Sequence, residues 1–205
     1  AAKAPKPPKI SLSKPFQAAA GPLSQAIEAA KTRADVVAAT NNMKTAQAAV
    51  NAARGAARTQ ARANYDASLA ALGATLTAEK NQLNTVESLA TTADDRFAFG
   101  QLALSLGSVS NDVSLQRRGL TAMIASGKAN PVDVPRFNFF AGSLAYDMKD
   151  YAAARTSLQA AVDAGFHDND ADALLAEAYM SDNKMAEGLA KLQAAIDWRN
   201  TTASK

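Results

Sequence analysis

Residues 137–165 read FNFFAGSLAYDMKDYAAARTSLQAAVDAG, and residues 170–197 read DADALLAEAYMSDNKMAEGLAKLQAAID. Offset by 34 residues, Ala141, Gly142, Ala145, Tyr151, Ala154, Leu158, Ala161 and Val162 fall on Leu175, Ala176, Tyr179, Met185, Gly188, Leu192, Ala195 and Ile196. Self-similarity at a fixed period of this size marks stacked units that bury their apolar faces only against one another. Apolar residues recur at three- and four-residue spacing on both sides of a short polar break, so each unit reads as helix, tight turn, helix. Gly142 and Ala176 stand mid-way along the first helices, where a bulky side chain would hold the second helix away. Ala154/Gly188 and Ala161/Ala195 supply the matching small positions, while Tyr151/Met185 and Leu158/Leu192 fill the space between.

The period, the small-on-small pattern and the large residue before each second helix resemble the tetratricopeptide repeat family over residues 135–198. Upstream, FAFGQLALSLGSVSNDVSLQRRGLTAMIASG (97–127) sets Gly100 on Gly142 at an offset of 42. It sets Val113, Leu120 and Ile124 on Tyr151, Leu158 and Val162 at 38, which implies a turn about four residues longer. Two departures stand out: Asn138 replaces the family's large aromatic, and no closing proline follows Val162. The resemblance implies an α-α superhelix of stacked antiparallel helix pairs, with units near 94–127, 135–165 and 169–198. It also implies a concave wall lined by the first helix of each pair. Carried onto this chain, the wall residues are Phe97, Gln101 and Leu104, then Arg136, Phe139, Ser143, Tyr146 and Asp147, then Ala173, Glu177 and Met180. Such a wall suits an extended peptide or a partner helix. Phe139 and Ser143 do not match the Lys/Asn clamp that some family members close on a peptide carboxylate.

The rest of the chain agrees with an all-α fold. Of 205 residues 50 are Ala and only 10 are Gly, and no stretch alternates apolar and polar residues with β-branched enrichment. Pro22 suits a first helical turn. Residues 34–63 read as one long or two abutting helices broken near Gly55, followed by helical stripes at Leu69, Leu72 and Leu76 and at Leu83, Val86 and Ala90. Asp94 or Asp95, and Asp112, are candidate helix caps. Pro131 and Pro135 mark a loop. The expected organisation is a leader (1–15), an Ala-rich helical region (16–93) and the repeats (94–205).

Residues 1–15 hold four of the seven prolines and four lysines with no acid, and without them the chain has 18 bases against 19 acids. That composition predicts a disordered leader. The small first residues resemble what a signal peptidase leaves, so a bacterial periplasmic or secreted location is expected, with a cytoplasmic one as the alternative. No apolar run is long enough to span a membrane.

Chemistry has few handles. The absence of Cys removes thiolate catalysis, and the single His167 would have to activate every hydroxyl nucleophile. His167 with Asp168, Asp170 and Asp172 lacks the spacing of a calcium loop. A plainer role is a cap by Asp168 or Asp170, with His167 facing solvent. No phosphate-binding glycine loop is present. The expectation is a non-enzymatic protein- or peptide-binding scaffold without catalytic residue, cofactor or metal. Two alternatives stand beside it. One is a self-assembling subunit. The other is an anion- or nucleic-acid-binding module on Arg54, Arg58 and Arg62, spaced to share a helix face. Nucleic acid is not an expected partner, because Tyr65 is the only ring available for stacking there. Leu189, Leu192 and Ile196 form a stripe near the C-terminal end, expected to turn inward in a monomer with Trp198 as a partly buried lid.

Overall fold

The computed structural model describes residues 9–203. The described residues contain ten α-helices and no strand: α1 (Lys14–Ala30), α2 (Ala34–Ala52), α3 (Gly55–Thr75), α4 (Thr77–Ser88), α5 (Ala93–Val109), α6 (Val113–Ala125), α7 (Val134–Asp147), α8 (Tyr151–Asp163), α9 (Ala171–Ser181) and α10 (Met185–Ala203). The protein is all-α.

Three consecutive antiparallel pairs, α5/α6, α7/α8 and α9/α10, share one turn geometry. Asn111, Lys149 and Asn183 each take a left-handed conformation, with φ of 51°, 61° and 58°. The amide of the following residue then bonds back five positions: Asp112 to Gly107, Asp150 to Ala145 and Lys184 to Tyr179, at 2.8, 2.9 and 2.9 Å. These bonds satisfy carbonyls that a helix end leaves open. The four extra residues expected in the first turn are therefore not in the turn. They lengthen α5, which has 17 residues against 14 in α7 and 11 in α9.

Consecutive pairs stack, α6 on α7 and α8 on α9, and α7 also touches α9. The same pattern recurs at the N-terminal end: α1 packs on α4, α4 on α5, and α1 on α5. Helices α1 and α4 thus form a fourth pair, split in sequence by the α2–α3 hairpin. The division expected between residues 93 and 94 is not a packing boundary, because one cluster runs from Phe16 through Leu83 and Val86 to Phe99, Leu106 and Leu115.

The hairpin is a two-helix antiparallel coil. Val36, Met43 and Val50 are buried at seven-residue spacing on α2, and Ala61 and Leu72 face them from α3. Its base is clamped by Arg33, whose Nη1 lies 2.6 Å from the buried Glu79 Oε1 while Nε reaches Asp35 at 2.8 Å and Nη2 reaches the Thr75 carbonyl. Asn111 supports it from the side by donating to the Tyr65 hydroxyl at 3.3 Å.

The leader expected over 1–15 is shorter in the structure. Residues 1–8 lie outside the described residues. Lys14 and Pro15 already belong to α1, and Pro22 stands in its interior rather than in its first turn. Gly21 immediately before it has no Cβ to clash with the proline ring, which eases helical backbone there. The Ser11 amide donates to Asp94 and the Ser13 amide to Asp95, both at 2.9 Å. Thr92, not an aspartate, is the N-cap of α5, and Asp95 completes a capping box with it. Burial of Asp95 raises its pKa, but hydrogen bonds from Ser13 and Thr92 outweigh that and hold it below the ordinary carboxylate range. The Lys128 ammonium and the Ser11 amide lower that of Asp94. Asp112 caps α6 as expected, accepting from the Leu115 amide at 3.1 Å.

Candidate binding surface

Helices α1 and α5 lie side by side and leave an open groove of about 390 Å³. Its floor is apolar: Phe16, Ala20 and Ile27 from α1, Ala98 and Leu102 from α5, with Leu12 closing one end. The rim is polar, with Gln17, Ser24 and Glu28 facing Gln101 and Ser105. The α1 sequence explains its side. Phe16, Ala20, Leu23, Ile27 and Ala30 are spaced as one buried stripe, which turns Gln17, Ser24 and Glu28 outward. An apolar floor between two rows of amides, hydroxyls and one carboxylate can bury apolar side chains of a ligand and hydrogen-bond its backbone.

The residues expected to line a wall are spread over several settings. Gln101 is exposed and stands in the groove. Asp147 and Glu177 are exposed, and Arg136 is exposed beside Asp133 at 3.1 Å. Ser143 and Ala173 are half-buried. Phe97 and Leu104 pack instead on the cluster of Leu120, Met123 and Ala141 where α5, α6 and α7 meet. Phe139 is 6% exposed and lies against Phe166, with ring centroids 5.1 Å apart. Its neighbour Phe140 is the exposed ring of α7. Tyr146 ties α7 to α9, its hydroxyl 3.4 Å from Ser181 Oγ. Met180 faces Gly188 of α10, where the absence of a Cβ admits its side chain. The resemblance that assigned these residues to one wall does not say which of them the neighbouring helices cover: Phe139 is buried, while Gln101, Arg136, Asp147 and Glu177 are exposed.

Leu12, Phe16, Gln17, Ser24 and Glu28 were not among the expected site residues. The alternation of Phe16–Ala20–Leu23–Ile27 with Gln17–Ser24–Glu28 carries the amphipathic signal, but only the α1–α5 contact reveals it as one wall of a groove.

Arg54, Arg58 and Arg62 are all exposed at the start of α3. Arg54 is the residue before α3, and its Nη1 turns back onto the carbonyls of Asn51 and Ala53 at 2.9 and 3.0 Å, closing the end of α2. Arg62 pairs with Asp66 at 3.1 Å. His167 does not face open solvent. Its Nδ1 lies 2.8 Å from Asp172 Oδ2, and its ring stacks on Trp198 with centroids 3.9 Å apart. Asp170 occupies the N-cap position of α9 without capping it and pairs with Arg199 at 2.8 Å. Among the described residues no three His, Asp or Glu side chains come together as a metal site, and no helix is long and apolar enough to cross a membrane.

The C-terminal stripe also departs from expectation. Met185, Leu189, Leu192 and Ile196 point outward, with exposures of 56, 54, 38 and 47%. Gly188 and Ala195 take the buried side against α9. Trp198 is 40% exposed and anchors α10 to the α8–α9 loop through His167.

No family model, curated protein or solved structure matches this chain. The tetratricopeptide resemblance rests on the internal repeat.

Proposed function

We propose that the protein is a non-enzymatic scaffold of tetratricopeptide type that holds a peptide or protein segment along the first helices of its pairs. The α1–α5 groove carries this reading, because it joins an apolar floor to facing polar rims at a size that admits two or three side chains. The exposed Phe140, Asp147 and Glu177 on α7 and α9 would extend the contact toward the C-terminal pairs. Retained hydrogen-bonding groups on the rim favour a ligand with free backbone amides and carbonyls, as an extended peptide has.

The test is selection of peptides from a random display library on the full chain, followed by titration against Ser24→Trp and Gln101→Trp. Both side chains are exposed on the rim, so the indole fills the groove without entering the core. Binding is expected to weaken at least about tenfold, roughly 1.4 kcal/mol, with unchanged melting temperature. Selected peptides that bind both variants as well as the parent would place the site elsewhere.

A further inference from the structure

The α2–α3 hairpin carries charge of one sign. All 19 acidic residues of the chain lie outside residues 36–65, while that stretch holds Lys44, Arg54, Arg58 and Arg62. At the root of the hairpin, α3 forms one wall of an open cleft of about 630 Å³. Leu69, Ala70 and Gly73 face Val113 at the start of α6 and Met148 in the α7–α8 turn, so the floor is apolar. Met148 is 42% exposed there. The carboxylates at the edge of the cleft are already paired, Asp66 with Arg62 at 3.1 Å and Asp112 with Lys80 at 2.9 Å. Arg62 stands one helical turn beyond Asp66, and Arg58 one turn further on the same face. The apolar cleft thus runs outward into a basic flank. We propose that cleft and flank together dock an acidic amphipathic helix of a partner protein, with its apolar side chains against Leu69 and Met148 and its carboxylates along Arg62 and Arg58.

Charge complementarity selects an acidic occupant. Arg58 is exposed and has no acidic residue near it on either helix of the hairpin. The Arg62–Asp66 pair is more than half exposed on both sides, so exchanging Asp66 for a ligand carboxylate costs little. Both guanidinium groups can then pair with carboxylates in the bidentate manner. The shape selects a chain segment. From Gly73 to Arg58 the site runs roughly 22 Å along α3, the length of about 15 residues of a partner helix.

Other polyanions fit less well. A flat anionic membrane cannot follow the cleft to the root of the hairpin, and around Arg58 it would meet Ala56, Ala57 and Ala63, which offer no large apolar anchor. A nucleic acid duplex would set phosphates against Asp66 and Asp112, with few cations to neutralise them. For a single strand the nearby ring is Tyr65, which Arg62 already covers at 5.3 Å. This site shares no lining residue with the α1–α5 groove, so its failure would leave the scaffold reading untouched.

Fluorescence anisotropy on the full chain tests the proposal. The probe is a labelled helical peptide of about 15 residues, Leu-rich in its first turn and Glu-rich thereafter in an Ala background. Saturable binding is expected. Arg58→Glu combined with Arg62→Glu should weaken it at least about tenfold at low salt, and so should Ala70→Trp, which fills the cleft. Lys44→Glu is the charge control, because Lys44 lines a separate cavity on the α2 side of the hairpin; it should weaken binding less than about twofold. Ser24→Trp, in the α1–α5 groove, should change nothing. Peptides with Gln for Glu, or Ser for Leu, should bind at least about tenfold more weakly. All the substituted side chains are exposed, and circular dichroism melts check each fold. If Ala70→Trp fails to fold, the arginine pair decides. No binding by the parent overturns the proposal, as does an equal loss in Lys44→Glu or a loss confined to Ser24→Trp. A short DNA duplex or phosphatidylglycerol vesicles that bind more tightly than the peptide, with the same arginine dependence, would overturn it in favour of that polyanion.

Discussion

Replacing Gly100 by Ala adds one methyl group where α5 crosses α6. A Cβ at Gly100 would sit 2.6 Å from the Gly119 carbonyl oxygen, 2.6 Å from Met123 Cγ and 2.9 Å from the Met123 amide nitrogen. Two of those three atoms are backbone, so no rotamer change relieves the clash. Restoring ordinary contact near 3.5 Å requires the helices to part by roughly 1 Å. Parting them loosens Ala103, Leu120 and Met123, all buried at or near this crossing. Overpacking of this kind costs about 1–3 kcal/mol, against a gain of about 1 kcal/mol from replacing a helical glycine by alanine. The expected net loss is up to about 2 kcal/mol, read as a fall of up to about 8 °C in melting temperature for a chain of this length. Gly73→Ala is the matched control. Its Cβ would meet only the flexible tip of Lys80, at 3.5 Å, so the helix gain of about 0.5–1 kcal/mol should appear as increased stability. Gly119→Ala clashes with the same crossing, at 2.5 Å from the Gly100 carbonyl oxygen, so its cost in the double variant should be smaller than alone. Urea titrations of the four variants decide the matter. A Gly100→Ala protein as stable as the parent, with Gly73→Ala no better, would refute the close crossing.

Further expectations concern the tethers. Asp95→Ala removes the acceptor of the Ser13 and Thr92 amides and should cost about 1–3 kcal/mol in a urea titration at neutral pH. Because the folded-state pKa of Asp95 is depressed, its contribution is present above the unfolded value near pH 4 and lost as pH falls through the folded value. Asp95→Asn should therefore flatten the acid limb of stability against pH, and an unchanged limb would count against the assignment. Deleting residues 1–13 removes the Ser11 and Ser13 bonds together with the packing of Leu12, so the melting temperature should drop by several degrees rather than stay level. His167→Ala should cost about 1–2 kcal/mol and shift the Trp198 fluorescence to the red, since it removes a hydrogen bond and an aromatic stack; a neutral result would place His167 in solvent after all.

Much of the fold was legible in the order of residues. Small side chains at Gly100, Gly142, Ala154, Ala161, Gly188 and Ala195 mark where helices touch, because only the absence of side-chain volume lets two backbones come together. The 34-residue offset reports the repeat because each unit needs the same volumes at the same places. The groove residue Gln101 was legible as a polar position on a first helix. Its partners Gln17, Ser24 and Glu28 were not, since nothing local to α1 names α5 as its neighbour across the inserted hairpin.

By itself, then, the sequence determined the helices, their pairing in tight turns and the positions of closest approach, all of which depend on interactions within a few residues or on a conserved volume pattern inside the chain. Only the tertiary structure decided which stripe each helix buries. Phe139 and Leu104 went inward, Phe140 stayed out, Arg54 bent back to close α2, and the α10 stripe faced solvent. The physical reason is that periodicity measures how apolar a face is, whereas burial depends on whether another element arrives to cover it. For Leu158 the covering element is α7, which meets it at Gly142; Leu192 is left 38% exposed.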